Sequence, residues 1–482
     1  MEDLAKIGIV PNKFMPELPE VETIKNILLP ILKNKKITSI DVLRLSTIQD
    51  DVDKFISTLT NQTFLNNTRI GKFLIFHLNN DAILISHLRM EGKYYQMKEN
   101  EDNSKYARVV FHLNDGTKIC YDDSRCFGLM KLSTEKEYKS VKDIAQLGKE
   151  PFDIDDVNYL IKRCQKSSLP IKSTLLDQTL ITGLGNIYAD EVLFASKINP
   201  FTPASKINKK EWEIIINNAK DILNEAIKEG GSTIKSYHPG KDIDGNFQTK
   251  LKAYGNKGKS CPNCSSIMRF KKVNGRGTTY CPKCQPLKSN QLKIAIYGKI
   301  ASGKSTVLDI FKKNQYFTIS SDDIVSSLYK RKEISEIINK KLGTHFNNEV
   351  NKNILREHLK NNPNDQKKLE KIIHPEVRKE ILNIFKKEKS PLIVIEVPLL
   401  FEAKMDDLFD YIIAIDIEKN KQTKLLKSRN PNTYEQLLKI NNNHQFDKNK
   451  IKADYIIENK SDLNYLRISI EKIINKLKDH LD

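Results

Sequence analysis

Two close pairs of cysteines, separated by sixteen residues, leave little choice of structure for the segment that contains them. The four are Cys261, Cys264, Cys281 and Cys284. Their spacing is typical of a closed site in which four thiolates hold one zinc ion tetrahedrally. Because no ligand position is left for water, we expect one structural zinc ion per chain, with unrelated thiols as the alternative. Three further cysteines are interpreted as plain thiols: Cys120, Cys126 and Cys164.

Basic residues are concentrated around the same cysteines. Residues 1–200 hold 27 Lys and Arg against 27 Asp and Glu, whereas residues 251–290 hold nine basic residues and no acidic one. Such an excess is typical of a surface that binds a phosphate backbone, although a solvated Lys-rich surface is the simpler alternative. Between the cysteine pairs, Gly275 and Gly277 flank Arg276. Glycine permits a tight hairpin turn there, and a guanidinium group suits a DNA phosphate.

The second half of the chain contains the pattern Gly-x4-Gly-Lys-Ser directly after an apolar run at residues 294–296. In a P-loop of this kind, backbone N–H groups cradle the phosphates, the lysine reaches the β- and γ-phosphates, and the hydroxyl binds Mg²⁺. The pattern alone therefore predicts only the binding of a nucleotide, with Mg²⁺ on Ser305. The predicted nucleotide-binding residues are Gly298, Gly303, Lys304, Ser305 and Thr306.

Hydrophobic periodicity divides the chain into several domains. Alternating apolar and polar residues predict a β-sandwich or barrel at first, and helical spacing follows from about residue 150. A Pro/Ser/Asn stretch then separates the cysteine segment from the P-loop strand. The predicted domains are an N-terminal extension (1–14), a β-sandwich (15–135), a helical domain (136–245), a zinc hairpin (246–286), a linker (287–292) and an α/β P-loop domain (293–482).

The chain has no apolar run of about 18 residues that could span a bilayer. Its first residues also lack the basic segment followed by a long apolar stretch that is typical of a secretory signal. We therefore expect a cytoplasmic bacterial protein that has no membrane partner and acts as a monomer.

Several motifs occur in order between residues 15 and 285. They include Met15-Pro16-Glu17-Leu18-Pro19-Glu20, Arg69-x-Gly71-Lys72, His87-Leu88-Arg89-Met90, Asp123-Ser124-Arg125-Cys126-Phe127-Gly128, Gly183-Leu184-Gly185-Asn186, Gly230-Gly231-Ser232-Thr233-Ile234 and the cysteine hairpin. Together they resemble formamidopyrimidine-DNA glycosylase. The resemblance implies a β-sandwich, a helix-two-turn-helix domain and a zinc hairpin. It also implies an enzyme that flips an oxidised purine, 8-oxoguanine or a formamidopyrimidine, out of double-stranded DNA.

The same resemblance assigns chemical roles. Pro16, as a secondary amine at the mature N-terminus, would attack C1′ of the sugar, and the resulting iminium would lead to strand cleavage by elimination. Glu17 would give and take protons at the sugar ring. Lys72 and Arg276 would bind phosphates and assist the eliminations, so the domain would be an AP lyase as well as a glycosylase.

Further residues are implied to contact DNA. Asn186 would bind a phosphate at a helix N-terminus. Met90, Arg125 and Phe127 would fill the space that the flipped base leaves, with core packing as the alternative for Met90 and Phe127. The implied DNA-binding set is therefore Lys72, Met90, Arg125, Phe127, Asn186 and Arg276.

Two features depart from the glycosylase pattern. Residues 105–108 lack a histidine that the family has there. Residues 1–14 would turn the Pro16 nitrogen into an amide without nucleophilic character. Translation from Met15 is the favoured interpretation. The alternatives are removal of a leader, or a lyase-dead module that only binds damaged DNA.

Sequence motifs after the P-loop indicate which class of nucleotide-binding protein the second half belongs to. They are Ser320-Ser321-Asp322-Asp323, Ile354-Leu355-Arg356, His374-Pro375-Glu376-Val377-Arg378 and the run Ile393 to Glu402. Over residues 291–482 they resemble dephospho-coenzyme A kinase, which passes the ATP γ-phosphate to the 3′-hydroxyl of dephospho-coenzyme A. Asp322 would be the catalytic base beside Lys304, and Arg429 would bind ATP from a lid. The implied acceptor-binding residues are Arg356, His374 and Arg378.

Several positions depart from the kinase pattern. Ser320 and Glu396 each replace an aspartate, and Asn443 replaces a glutamine. Leu425 stands where the family has an arginine, with Lys424 and Lys427 nearby. The combined interpretation is a bifunctional enzyme, and a kinase that acts on DNA ends is the alternative for the second half.

Overall fold

The structure is a computed structural model that describes residues 15–232, 246–429, 431, 434, 445–459 and 463–481. The extension of residues 1–14, the pair Thr233 and Ile234, and Asn443 lie outside the described residues, as does the side chain of Arg429. The chain forms two compact units, Met1–Gln285 and Pro286–Asp482.

The first unit begins with a sandwich of two four-stranded antiparallel sheets. Their strand orders are β1-β6-β7-β5 and β2-β3-β4-β8. Alternate residues of the strands, such as Leu74 and Phe76 of β3, join one core between the two sheets. The opposite faces of β3 and β4 are also buried, in a second apolar cluster with Tyr138 and Ile144. The strands are β1 (Ile37–Val42), β2 (Phe64–Ile70), β3 (Phe73–Leu78), β4 (Ala82–His87), β5 (Lys93–Lys98), β6 (Ala107–Leu113), β7 (Thr117–Asp122) and β8 (Leu129–Thr134).

Two helices accompany the sandwich, α1 (Leu18–Leu32) and α2 (Val52–Leu59). Four apolar residues of α1 recur every three or four positions and join the core of the sandwich: Val21, Ile24, Leu28 and Leu32. The first residue of the same helix, Leu18, instead packs in the core of the helical domain. Helix α1 therefore belongs to both parts of the unit.

A helical domain and a small hairpin complete the first unit. The helices are α3 (Lys142–Ala145), α4 (Asn158–Cys164), α5 (Ile171–Leu175), α6 (Asn186–Ala195) and α7 (Lys209–Lys228). Helix α7 begins with a capping box between Asn208 and Glu211 and buries Trp212 completely. The hairpin pairs β9 (Arg269–Val273) with β10 (Arg276–Tyr280).

The second unit is an α/β domain around a five-stranded parallel sheet of order β12-β13-β11-β14-β15. The inner strands are almost wholly apolar because helices cover both faces. The strands are β11 (Leu292–Gly298), β12 (Phe317–Ser320), β13 (Leu392–Glu396), β14 (Tyr411–Asp416) and β15 (Tyr455–Glu458). The helices are α8 (Lys304–Lys313), α9 (Ser321–Tyr329), α10 (Lys332–Leu342), α11 (Lys352–Asn361), α12 (Asp365–Lys387), α13 (Lys419–Arg429), α14 (Phe446–Asn449) and α15 (Leu463–Lys478).

The predicted fold class is confirmed: a β-sandwich, a helical domain and a cysteine hairpin precede a parallel α/β domain. Strand β2 has a weak signal in the sequence, because its residues Phe64–Ile70 read FLNNTRI and do not alternate cleanly. Pairing with β3 along its length holds this strand in the sheet despite its polar composition. None of the helices in the described part of the chain combines the length and apolar character that a bilayer span requires.

Candidate active sites

The first cluster of functional residues lies at the N-terminal end of α1. Glu17 is the N-cap of this helix, and it is only 2% exposed. Its carboxylate accepts hydrogen bonds from the N–H groups of Gly185 at 2.7 Å and Ile187 at 2.9 Å. These donors lie at the start of α6, where unpaired N–H groups and the helix dipole stabilise an anion. Pro16, which directly precedes Glu17, is half-buried.

Two glycines make this contact possible. A Cβ atom on Gly185 would lie 2.3 Å from the carboxyl carbon of Glu17. A Cβ atom on Gly183 would lie 2.5 Å from Cδ1 of Leu18. Both distances are far shorter than a van der Waals contact, so a side chain at either position would push α1 away from the turn before α6.

A second buried carboxylate, that of Glu20, joins three segments. It accepts hydrogen bonds from the N–H of Glu17 at 2.9 Å and from the hydroxyl of Tyr188 at 2.7 Å. The N–H and hydroxyl of Ser232 also donate to it, at 2.8 and 2.9 Å. Gly231 has a φ of +86°, and a Cβ atom there would lie 2.9 Å from this carboxylate. The sequence predicted no function for Glu20, although the Gly-Gly-Ser motif contains Ser232, one of its hydrogen-bond donors.

Lys72 is buried beside the same turn. Its Nζ donates a hydrogen bond to the carbonyl oxygen of Leu184 at 2.8 Å. Burial lowers the pKa of Lys72, and burial raises the pKa of Glu17 to about 7, while the attraction between the two charges opposes both shifts. A carboxyl group with a pKa near 7 can both give and accept a proton at neutral pH.

An ion-pair network fixes the turn that leads into Lys72. The guanidinium of Arg69 makes a bidentate contact with Glu150, at 2.6 and 2.9 Å, and its Nε donates to Glu22 at 2.8 Å. The N–H of Gly71 also donates to Glu150, at 2.7 Å. Because Gly71 has a φ of +58°, the Arg-x-Gly-Lys motif describes a braced turn.

The loop between β7 and β8 presents Arg125 and Phe127. Phe127 is 54% exposed, which excludes core packing for this residue, and the Arg125 guanidinium lies 5.0 Å from the centre of its ring. Asp123 holds the loop by accepting from the N–H groups of Arg125 at 2.9 Å and Gly128 at 2.7 Å. Met90, after β4, is half-buried.

Arg108 occupies the stretch that lacks the family's histidine. Its Nε donates to the carbonyl oxygen of Asp123 at 2.8 Å, so its side chain supports the base of the same loop. This contact gives the departure from the family pattern a structural role in the present chain.

The cysteine hairpin has a two-residue turn. Asn274 and Gly275 have φ values of +46° and +80°, the left-handed conformation that two-residue hairpin turns require. Arg276 follows directly as the first residue of β10 and is exposed. Its positive charge contributes to the lowered pKa of Lys72, whose main cause is burial, so the two cations act on the same region.

A buried ion pair joins this hairpin to the helical domain. Nζ of Lys172 lies 2.7 Å from Oδ1 of Asp190, and both side chains are fully buried. Lys172 also donates to the carbonyl oxygen of Gly277 at 2.9 Å, and Asp190 accepts from the N–H of Thr279 at 3.0 Å. Both contacts hold β10, the strand that begins with Arg276. Sequence reasoning missed this pair, because neither residue carries a local signal of its distant partner.

The four predicted cysteines lie together. Their Sγ atoms are all within 4.8 Å of one another. The Cys261–Cys284 and Cys264–Cys281 sulfur separations are 3.8 and 3.5 Å. A tetrahedron with metal–sulfur bonds of about 2.3 Å has edges of about 3.8 Å, so this donor set fits a single metal ion.

In the second unit, the P-loop borders a cavity of about 750 Å³. The predicted residues Gly303, Lys304, Ser305 and Thr306 line it. Lys304 Nζ donates to the carbonyl oxygen of Lys299 at 3.0 Å, and burial lowers its pKa. Gly298 ends the strand β11 that leads into the loop.

A second cavity of about 250 Å³ contains the predicted base. Asp322 and His374 line it together with mainly apolar residues. Arg356 and Arg378 are not among the residues that line it. Arg356 is exposed on α11, and Arg378 is paired with Asp407 at 2.7 and 2.5 Å. Thus the structure brings one of the three predicted acceptor residues next to Asp322.

Two departures from the kinase pattern have clear structural consequences. Ser320 is the N-cap of α9, and its hydroxyl accepts from the N–H of Asp323 at 3.0 Å. Glu396 ends β13 with its carboxylate 3.6 Å from Lys304 Nζ. Burial raises the pKa of Glu396, and the nearby charge of Asp322 raises it further. Lys304, Glu396 and Asp322 therefore form one electrostatic group at the carboxyl ends of the parallel strands.

Fold and sites together define a two-part enzyme: a DNA-binding glycosylase with a cysteine hairpin, followed by a P-loop kinase. Comparison with known families agrees. Residues 15–130 match the formamidopyrimidine-DNA glycosylase N-terminal domain, residues 147–238 match the H2TH domain of the same glycosylase, and residues 292–464 match dephospho-CoA kinase.

Similar proteins cover the first unit at full length. The formamidopyrimidine-DNA glycosylase of Shouchella clausii is 44% identical over 275 residues, which are 56% of this chain and 99% of the relative. That of Ligilactobacillus salivarius is 43% identical over 279 residues, 57% of this chain and 100% of the relative. The chain therefore belongs to the formamidopyrimidine-DNA glycosylase family and carries a dephospho-CoA kinase domain fused to it.

Solved structures give the same result. The Lactococcus lactis Fpg in complex with DNA that contains N7-benzyl-Fapy-dG is 35% identical, with a TM-score of 0.54, over 56% of this chain and 100% of that chain. A complex of the Lactococcus lactis Fpg with abasic-site DNA matches equally well, with the same identity, TM-score and coverage. The two families together make this chain a bifunctional enzyme that combines a DNA-repair domain with a kinase domain of coenzyme A synthesis.

The buried Lys172–Asp190 pair leads to a prediction. Lys172→Met leaves the Asp190 carboxylate buried without its cation, which should lower the free energy of unfolding by about 3–5 kcal/mol. Trp212 is the single tryptophan of the chain and lies in α7, so its fluorescence during urea unfolding reports on the first unit.

Lys250→Met is the matched control, because Lys250 forms an ion pair with Glu225 at the surface, and its loss should change the free energy of unfolding far less. Lys172→Met/Asp190→Leu should recover much of the loss because no charge remains buried. Equal effects of Lys172→Met and Lys250→Met would contradict the assigned role.

Proposed function

We propose that the first unit excises oxidised purines, 8-oxoguanine and formamidopyrimidines, from double-stranded DNA and then cleaves the strand as an AP lyase. The observation that carries this proposal is the position of Glu17. Its buried carboxylate is held at the starts of two helices, directly after Pro16, with Lys72 bonded to the same turn. A proton-exchanging group next to a terminal amine is what base loss and iminium formation require.

The remaining site residues have proposed roles in binding damaged DNA. Arg276 on the hairpin and Asn186 at the start of α6 bind phosphates. The exposed pair of Arg125 and Phe127, with Met90, fills the space that the flipped base leaves. The four cysteines would hold a zinc ion, and its binding would supply folding energy to the hairpin, since so short a segment buries little apolar surface of its own.

The nucleophile can be tested by covalent trapping. Protein that begins at Pro16 should be trapped by borohydride on a duplex that contains 8-oxoguanine, because the iminium is reduced to a stable amine. Protein that begins at Met1 should not be trapped, because its Pro16 nitrogen is an amide. Trapped complexes are counted as shifted bands on a denaturing gel. Trapping of the Met1 form, with its leader shown intact by mass spectrometry, would exclude Pro16 as the nucleophile.

The pKa of Glu17 predicts a pH profile. The raised pKa of about 7 means that its protonated fraction falls tenfold for each pH unit above that value. Because the Pro16 amine must lose a proton while Glu17 keeps one, the single-turnover excision rate should be bell-shaped and should fall above about pH 8. In Glu17→Gln the rate should be about 10²- to 10⁴-fold lower, without the fall at high pH. A Gln variant that keeps this alkaline limb would show that another group is responsible.

For the second unit we propose transfer of the ATP γ-phosphate to the 3′-hydroxyl of dephospho-coenzyme A. The proposal rests on Asp322, which lines the smaller cavity while its charge acts on Lys304 and Glu396.

Mg²⁺, held by Ser305 and the phosphates, would neutralise charge on the transferred group. Lys304 would bind the β- and γ-phosphates, and Arg429 would approach them from the lid. His374, which lines the smaller cavity, would contact the acceptor, and Arg356 and Arg378 would contact parts of the acceptor outside that cavity.

The kinase assignment is tested by supplying two acceptors. With ATP and Mg²⁺, dephospho-coenzyme A should yield coenzyme A, and 5′- or 3′-hydroxyl DNA ends should not be phosphorylated. Asp322→Asn should lower turnover by about 10²- to 10⁴-fold while ATP affinity stays nearly constant, because the P-loop is unchanged. Phosphorylation of DNA ends, with none of dephospho-coenzyme A, would favour the alternative of a DNA-end kinase.

A further inference from the structure

The cavity beside the P-loop contains a cation that does not belong to the P-loop. Among the described residues that line it, the charged side chains are those of Lys304 and Lys421, and no carboxylate is present. Lys421 lies on α13. A positively charged cavity of about 750 Å³ suits the triphosphate of a nucleotide.

Hydrogen bonds from α13 and from the loop after β15 fix this cation against the P-loop. Gln422, the next residue, is 2% exposed and its Nε2 donates to the carbonyl oxygen of Ile300 at 2.7 Å. Lys421 Nζ donates to the carbonyl and side-chain oxygens of Asn459 at 3.1 and 3.0 Å. Asn459 in turn donates to the carbonyl oxygen of Ser302 at 2.9 Å. These bonds hold the ammonium group of Lys421 beside Asn459, which is itself bonded to the P-loop residue Ser302.

The neighbours of Lys421 on α13 offer no other positive charge to this cavity among the side chains that are described. Leu425, which stands where the family has an arginine, lines the same cavity one helical turn after Lys421. It offers no charge to a phosphate. Lys424 and Lys427 are exposed and are not among the residues that line the cavity. Of the three lysines near Leu425, Lys421 alone lines the cavity in the part of α13 whose side chains are described.

We propose that Lys421 binds the phosphates of ATP and supplies the positive charge that Leu425 cannot. This inference rests on the proposed kinase function. The ammonium group has three donors on a flexible stem, so it can form charge-assisted hydrogen bonds to phosphate oxygens from one turn earlier on the helix. Gln422 and Asn459 act as positioning residues that hold α13 and Lys421 at the loop.

The experiment measures ATP and adenosine affinities of the full chain by calorimetry, together with the steady-state kinetics of coenzyme A formation. Lys421→Met and Lys421→Gln should each weaken ATP binding by about 10- to 100-fold and raise KM for ATP, because a charged hydrogen bond to phosphate is lost. Adenosine, which has no phosphate, should bind with nearly unchanged affinity. Lys424→Met is the matched control, with the same charge change on the same helix, and should leave both affinities unchanged.

Rescue makes the test specific for charge. Lys421→Met/Leu425→Arg should regain most of the lost ATP affinity, because a guanidinium returns to the position that faces the same cavity. Equal ATP affinities of Lys421→Met and Lys424→Met, or equal losses for ATP and adenosine, would overturn the role of Lys421 while the kinase function stands. An unmodified chain that binds no ATP would overturn the kinase function and this inference together.

Discussion

Burial of the Glu17 carboxylate against the first turn of α6 is the contact on which the glycosylase unit depends. Taking a carboxylate out of water costs several kcal/mol unless hydrogen bonds and an opposite charge offset it. Here two short N–H donors and the nearby Lys72 provide that compensation. The glycines of the turn and the Glu20 network follow from the same requirement, because each lets α1 approach α6 closely enough. The result is a helix start that places Pro16 beside a group able to exchange protons.

Much of this arrangement could be predicted from the sequence, and the reason is chemical. Some functional motifs consist of a few residues that lie close together in the sequence, so they can be identified without a structure. Examples are the cysteine pairs, the P-loop and the Met-Pro-Glu motif. Partners that lie far apart in sequence carry no such local signal. Lys172 and Asp190 are eighteen positions apart along the chain, and they meet because α5 packs beside α6. Lys421 was likewise missed, because the sequence comparison pointed to Leu425 and its immediate neighbours.

In the kinase unit, residues that differ from the family pattern form specific contacts with their immediate neighbours. Ser320 caps α9 as an aspartate would, so the helix start keeps its side-chain cap. Glu396 is one methylene longer than aspartate, and its carboxylate lies 3.6 Å from Lys304. Arg378 is directed to Asp407 and the carbonyl of Lys404, next to residues that form the wall of the smaller cavity. These contacts give Ser320 a capping role and Glu396 a charge next to Lys304.

The position of Leu18 has a consequence for how this N-terminus can vary. Leu18 packs in the helical domain, whereas Val21 and Ile24, within the next two turns, pack in the sandwich. Each residue of an α-helix turns the chain by about 100°, so one inserted or deleted residue between Leu18 and Val21 would rotate one set of side chains out of its core. The number of residues between Pro16 and each of the two cores is therefore fixed. Surface loops can accommodate changes in length, whereas the first turn of α1 cannot.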